Sequence, residues 1–239
     1  MQTFEALNQH IASDGFRLRG TAMSRVDGFS DVVFGFAITL LVVSLEVPHD
    51  FEELNRSLRG FIPFAICFLM LLLIWYSHFK FFRRYGLHDL GTISINATML
   101  FVVLFFVYPL KFLFTVLIKA WIGGDASAYG STAQMREVMV LYGVGLTLVY
   151  FLFTALYWNA WRQRETLELN QLERFLTRSS MVEYGSMGCV GLLAIAVAVL
   201  APRGYSGFSG FVYMLLSVVG QIHGRWERRR LKPLREAIP

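Results

Sequence analysis

The sequence predicts an all-α membrane protein with six transmembrane helices per subunit and both termini on the cytoplasmic side. Three observations lead there. The 239 residues are 55% hydrophobic and only 16% charged, where a soluble domain carries roughly 25% charge. Mean hydropathy is +0.50, an apolar excess beyond what one core buries, so lipid must solvate much of it. The apolar residues also gather into six runs near the ~20 residues that cross a bilayer, with basic residues concentrated in alternate connections.

In order, the expected spans are Phe29–Val47, Leu58–Phe79, Thr92–Leu113, Val138–Trp161, Met181–Ala201 and Tyr205–Ile222. The first opens on a polar stretch, Arg-Val-Asp-Gly-Phe-Ser-Asp (25–31), so its apolar part is short. The third carries Pro109 late in its course. On the fifth, Gly185, Gly188 and Gly191 recur every third residue, and Gly204, Gly207 and Gly210 do the same around the start of the sixth. Small residues let helices approach closely in lipid, where contact replaces the hydrophobic effect. These last two helices read as a tightly packed hairpin joined by Pro-Arg-Gly. The stretch 122–134 is rich in turn formers and reads as an extracytoplasmic loop.

Lys and Arg set the orientation. One group comprises Arg17, Arg19 and Arg25, then Lys80, Arg83 and Arg84, then Arg162, Arg164, Arg174 and Arg178, and finally the six basic residues from Arg225 to Arg235. The opposite side holds only Arg56, Arg59, Lys111, Lys119, Arg136 and Arg203. The bias places both termini in the cytoplasm. Net charge +5 follows from this distribution and not from nucleic-acid binding. The chain reads as one six-helix domain over 1–239, ending in a basic cytoplasmic tail, 223–239. That tail serves as a topology signal or as a contact for anionic headgroups. The N-terminus shows no cleavable signal peptide. Cys67 and Cys189 fall in apolar runs and read as reduced packing residues, not a metal site. No cofactor is expected.

Polar groups inside spans are costly and mark function when a partner can be named. Here they are Arg25, Asp27, Ser30 and Asp31 on the first helix, His78 ending the second, Asn96 early in the third and Glu183 opening the fifth. The predicted topology puts them all at one depth, near the cytoplasmic side. At about 100° per residue, Arg25 and Asp31 sit about 120° apart around their helix. Each therefore faces a different neighbour, or Arg25 snorkels to the headgroups. Arg25 heads a row containing Phe29, Val32, Phe36, Leu40 and Val43. Asp31 heads another with Gly35, Ile38 and Val42.

These residues carry a resemblance. Arg25-x-x-x-Phe29-Ser30-Asp31 resembles the signature of the endolysosomal and prokaryotic potassium channel family whose members lack the usual filter loop. The likeness continues through "FAITLLVVSLEVP", through Trp75 and His78 in "IWYSHFKFF", and through Asn96 and "FVVLFFVYPLKF". It covers the first three helices; the last three match in number and hydropathy. No "TVGYG" filter is present.

The resemblance implies a homotetramer of a single-repeat chain in the cell membrane of a prokaryote. It implies a central pore lined by the first helix and passing potassium ions; no other metal and no nucleic acid is expected as a partner. Bulky apolar side chains would form the constriction beside a threonine. Carried over from Asp31, these positions are Phe36, Thr39, Leu40 and Val43. Arg25, Phe29, Ser30, Asp31, Trp75, His78 and Asn96 would form an inter-helix polar network. Prokaryotic relatives usually place Ile or Leu where Phe36 stands, and four phenylalanines on one axis would plug a narrow pore or gate it by dewetting. An alternative is a proton pathway through His78 and Asp31. An enzyme is not expected: no span carries a His-x-x-x-His, Gly-x-Ser-x-Gly or Glu-x-x-His set. A solute carrier would favour helices broken at mid-membrane, which the first helix is not.

Overall fold

The computed structural model describes residues 11–43, 49–52, 55, 61–123, 132–202 and 209–236. Its principal elements are helices: α1 (Arg25–Val43), α2 (Phe61–Tyr85), α3 (Leu90–Gly123), α4 (Thr132–Arg162), α5 (Gln171–Leu200), the single turn α6 (Ser209–Val212) and α7 (Met214–Glu236). Five segments are long and apolar enough to cross a membrane: Arg25–Val43, Phe61–Tyr85, Leu90–Val116, Gln134–Arg162 and Gln171–Leu200.

The sixth expected span departs from a plain apolar rod. Positions 205–208 lie outside the described residues, as do Gly204 and Gly207. The remainder divides into α6 and α7, and α7 runs on through the basic tail to Glu236. One helix therefore joins an apolar first half to a charged second half. The parts of the first span beyond Val43 and of the second before Phe61 are likewise outside the described residues, as is most of the 122–134 loop.

Helices overrun their apolar runs where caps permit. α5 starts ten residues before Met181 because Asn170 and Glu173 form a capping box. The Asn170 side chain accepts from Glu173 N–H at 2.9 Å, and Glu173 accepts from Asn170 N–H at 3.0 Å, satisfying two donors that a helix start leaves open. α2 continues past Phe79 to Tyr85, with Arg83 and Arg84 in its last turn, where positive charge complements the helix dipole. Gly86 then stops it at φ 58°, a left-handed turn that glycine adopts without strain.

Two apolar clusters organise the bundle. One joins α1, α2 and α3 through Phe34, Ala37, Leu41, Cys67, Leu71 and Val103. The other joins α2, α3, α4 and α5 through Phe81, Tyr85, Met99, Phe153, Tyr157 and Leu176, and takes in Phe16 from the segment before α1. α4 and α5 approach closely: a side chain added at Gly188 would fall 2.6 Å from the Phe151 ring.

Pro109 lies inside α3 and removes one ladder donor. The Tyr142 hydroxyl of α4 enters at this point. It accepts from Leu113 N–H at 3.1 Å and donates to Pro109 C=O, the two groups that an undisturbed turn pairs with each other.

Candidate functional site

α1 divides cleanly into two faces. Ser30, Val33, Phe34, Ala37 and Leu41 are buried. Arg25, Phe29, Val32, Phe36, Thr39 and Val43 are exposed on the other side, Phe36 at 63% and Val43 at 71%, and Leu40 is half-buried at its edge. The exposed row is the Arg25 row of the sequence, and the chain's own helices leave it bare. Along it, the Thr39 hydroxyl donates to Gly35 C=O at 2.9 Å. That bond uses the proton and leaves the oxygen lone pairs turned outward.

The buried face is anchored by a chain of hydrogen bonds. Ser30 Oγ donates to Val26 C=O at 2.8 Å. It accepts from Asn96 Nδ2 at 2.9 Å, and Asn96 Oδ1 lies 2.8 Å from His78 Nε2. The directions then follow in order. Ser30 has spent its proton, so Asn96 must donate to it. Asn96 Oδ1 is then an acceptor, and His78 is protonated on Nε2. Ser30, Asn96 and His78 are at most 3% exposed, so the chain joins α1, α3 and α2 in a dry interior where each bond is costly to lose.

A second tie lies one turn along. Trp75 Nε1 donates to Asp31 Oδ1 at 2.8 Å. Phe34 meets His78 edge-on at 5.5 Å, and Trp75 stacks on Phe79 at 5.7 Å. Asp31 thus pairs with α2, whereas Arg25 is exposed and has no bond of its own among the described residues. Beside this cluster a cavity of about 250 Å³ is lined by Asp27, Asp31, His78, Phe79 and Arg83. Asp27 caps α1 reciprocally with Ser24, and its Oδ1 is buried without a partner among the described residues.

Sequence reasoning missed the strap that precedes α1. Arg17 and Arg19, read as topology charges, both clamp Glu173: Arg17 Nη2 reaches Oε2 at 3.0 Å and Arg19 Nη2 at 2.9 Å. Glu173 is fully buried, and its hydrogen bonds raise the Arg17 guanidinium above its ordinary value. Arg84 pairs with Asp14 and lies over the Phe16 ring at 4.8 Å. Arg19 and Gly20 N–H donate to the Arg84 and Arg83 carbonyls, closing the end of α2. The approach is so close that a side chain at Gly20 would collide with the Phe82 carbonyl at 2.3 Å. The Asn-x-x-Glu spacing at 170–173 was the legible signal for Glu173. Glu183, singled out from the sequence, does not join the Ser30–Asn96–His78 chain.

Asp89 is a second omission. It caps α3 through Thr92 and accepts from Asn159 and Gln163 of α4 and the segment after it, the latter at 3.0 Å. Burial opposes its charge, but the hydrogen bonds from Thr92, Gln163 and Asn159 win and hold the carboxyl well below the usual range. Among the described residues no group of three or more His, Cys, Asp or Glu could hold a metal ion.

Residues 25–107 match the family described as endosomal/lysosomal potassium channel TMEM175. A Marivirga tractuosa protein named potassium channel is 40% identical over 233 residues, 91% of this chain and 94% of that protein. A Streptomyces collinus potassium channel is 25% identical over 201 residues, 77% and 91% of the two chains. Among solved structures, a variant of the potassium channel MtTMEM175 bound to a nanobody fusion superposes with a TM-score of 0.81. Its identity is 39%, over 92% of this chain and 99% of that one. A TMEM175 homologue from Chamaesiphon minutus shares the fold at a TM-score of 0.55 and 22% identity, over 83% and 96%.

Proposed function

The chain belongs to the TMEM175 family of potassium channels, and from that premise we propose that it conducts potassium through a pore walled by the α1 helices of four copies. One observation carries this reading. In the single chain, α1 leaves the row Arg25–Phe29–Val32–Phe36–Thr39–Val43 bare while its opposite face is locked into the bundle. A pore wall must be a face that its own subunit does not cover.

On that wall Phe36, Leu40 and Val43 form apolar rings and Thr39 a polar one. The Thr39 oxygen, its proton committed to Gly35, replaces part of the ion's hydration shell. Sodium gives up its water at greater cost, so this route yields a modest potassium preference instead of the strong selectivity of a carbonyl filter. The Ser30–Asn96–His78 chain and the Trp75–Asp31 tie fix the rotation of α1 and aim Phe36. Arg25, bare within the subunit, faces a neighbouring copy or the headgroups. α6 and the first turns of α7 make the sixth crossing, which keeps both termini in the cytoplasm of a prokaryotic cell.

Potassium flux into liposomes is the test. Wild type should conduct weakly, and Phe36→Ala, which opens the narrowest ring, should conduct faster. Flux absent from both proteins would end the reading.

One observation favours a second route. His78, Asp31 and Asp27 share the 250 Å³ cavity beside α1, so the buried imidazole sits next to two carboxylates. Proton flux in potassium-free buffer that disappears in His78→Ala is the outcome this alternative requires.

A further inference from the structure

A second cavity, larger than the one beside α1, lies away from that helix. It measures about 800 Å³ and sits between α2, α3, α4, α5, α6 and α7. Its inner wall includes Val107 and Met139, 2% and 3% exposed, with Phe106, Leu110 and Leu146 around them. Polar side chains are few, and one of them, the Tyr213 hydroxyl, is buried without a hydrogen-bond partner among the described residues. Tyr142 is engaged at the Pro109 break, and Tyr184 is hydrogen-bonded to Ser77. The mouth is rimmed by Leu73, Phe211 and Met214, which are 66%, 64% and 67% exposed.

We propose that this cavity holds an acyl chain of a membrane phospholipid, entering between Leu73, Phe211 and Met214. Three facts select that occupant. A space of this size left empty forfeits packing contacts along its lining, and its open mouth between Leu73, Phe211 and Met214 admits an occupant. Water is a poor filler, because a cavity holds water only where it offers several free polar partners. The opening is apolar and lies among membrane-spanning helices, where the available apolar solvent is lipid tails. The dimensions agree. On α3 the lining runs from Val103 to Phe114, about 16 Å at 1.5 Å per residue, close to the ~15 Å of hydrocarbon in one leaflet. The volume falls in the range of pockets that enclose most of a small ligand, roughly 300–1,000 Å³. The inference rests on the membrane placement of the helices and not on ion conduction.

Photo-labelling tests it. The full chain is reconstituted into phosphatidylcholine–phosphatidylglycerol vesicles containing a trace of phospholipid with a diazirine in its acyl chain. Adducts are then mapped by peptide mass spectrometry. Adducts are expected on the inner-wall residues Val107 and Met139 as well as on the outward-facing Leu69. Gly210 lines the cavity, and a side chain added there meets open space. Gly210→Phe should therefore fill the site and lower the Met139 adduct several-fold while leaving Leu69 unchanged. Labelling of Leu69 without Val107 or Met139 overturns the proposal, whether water or a second copy of the chain occupies the space. Inner-wall adducts that a folded Gly210→Phe leaves undiminished overturn it equally. The wild-type map decides by itself if that variant does not fold.

Discussion

The indole of Trp75 donates to Asp31 across the α1–α2 contact at 2.8 Å, on the side of α1 turned away from Phe36. The bond joins a carboxylate to an indole donor at a partly buried site beside the small cavity. It ties α1 to α2 on this face, which in the proposed channel would hold the rotation of α1. Trp75→Phe keeps the ring and removes the donor, so it should cost about 1–2 kcal/mol, read as a lower unfolding temperature in detergent. Potassium flux should fall with it, because α1 can then turn. Asp31→Asn keeps an acceptor oxygen and should retain most of the stability. A Trp75→Phe protein with wild-type stability and flux would remove this tie from the account.

The Ser30–Asn96–His78 chain makes a sharper demand. Asn96→Leu leaves the His78 N–H buried without a partner, which costs about 1–3 kcal/mol. Ser30→Ala removes the other end of the chain. The pair should be non-additive in a double-mutant cycle, with a coupling of roughly 0.5–3 kcal/mol between contacting sites. Strict additivity would mean that the three groups do not act as a unit.

Tyr142 supports α3 in the turn that follows the ladder bond lost at Pro109. Tyr142→Phe strips the hydroxyl that joins Leu113 N–H to Pro109 C=O, and a loss of about 1–2 kcal/mol is expected. The local opening of α3 should show as faster amide exchange at Leu113. Unchanged exchange there would indicate that the turn closes on itself without the tyrosine.

The Asp89 cap predicts a pH dependence with a definite sign. Its folded pKa is depressed below the ordinary value, which is about 3.9 for a free aspartate. The stability it contributes is therefore complete above that value and is lost as pH falls toward the depressed one. Asp89→Asn should melt lower than wild type at neutral pH, and the gap should narrow once the pH drops below about 4. A gap that stays constant down through that window would show that the carboxylate charge is not what holds the α3–α4 contact.

Hydropathy alone determined that this is a helical membrane protein, and five of the expected spans correspond to apolar helices of sufficient length. That pattern is local: each residue contributes its own transfer free energy, whatever its neighbours turn out to be. The sequence also singled out Ser30, Asp31, His78 and Asn96, because a polar group inside an apolar run stands out without knowledge of its partner, whereas Trp75 was marked only by the family resemblance. What the sequence left open was pairing. Whether Arg17 is a topology charge or a clamp on Glu173 depends on where the strap before α1 lies against α5, a contact between residues 156 positions apart. Tyr142 looks like any interfacial tyrosine until α4 brings its hydroxyl to the break in α3. The large cavity has no sequence signature at all, since a void is a property of six packed elements and of no single one. Tertiary structure decided these features because hydrogen bonds and packing depend on the rotation and approach of helices, and those are set only when all the faces are buried together.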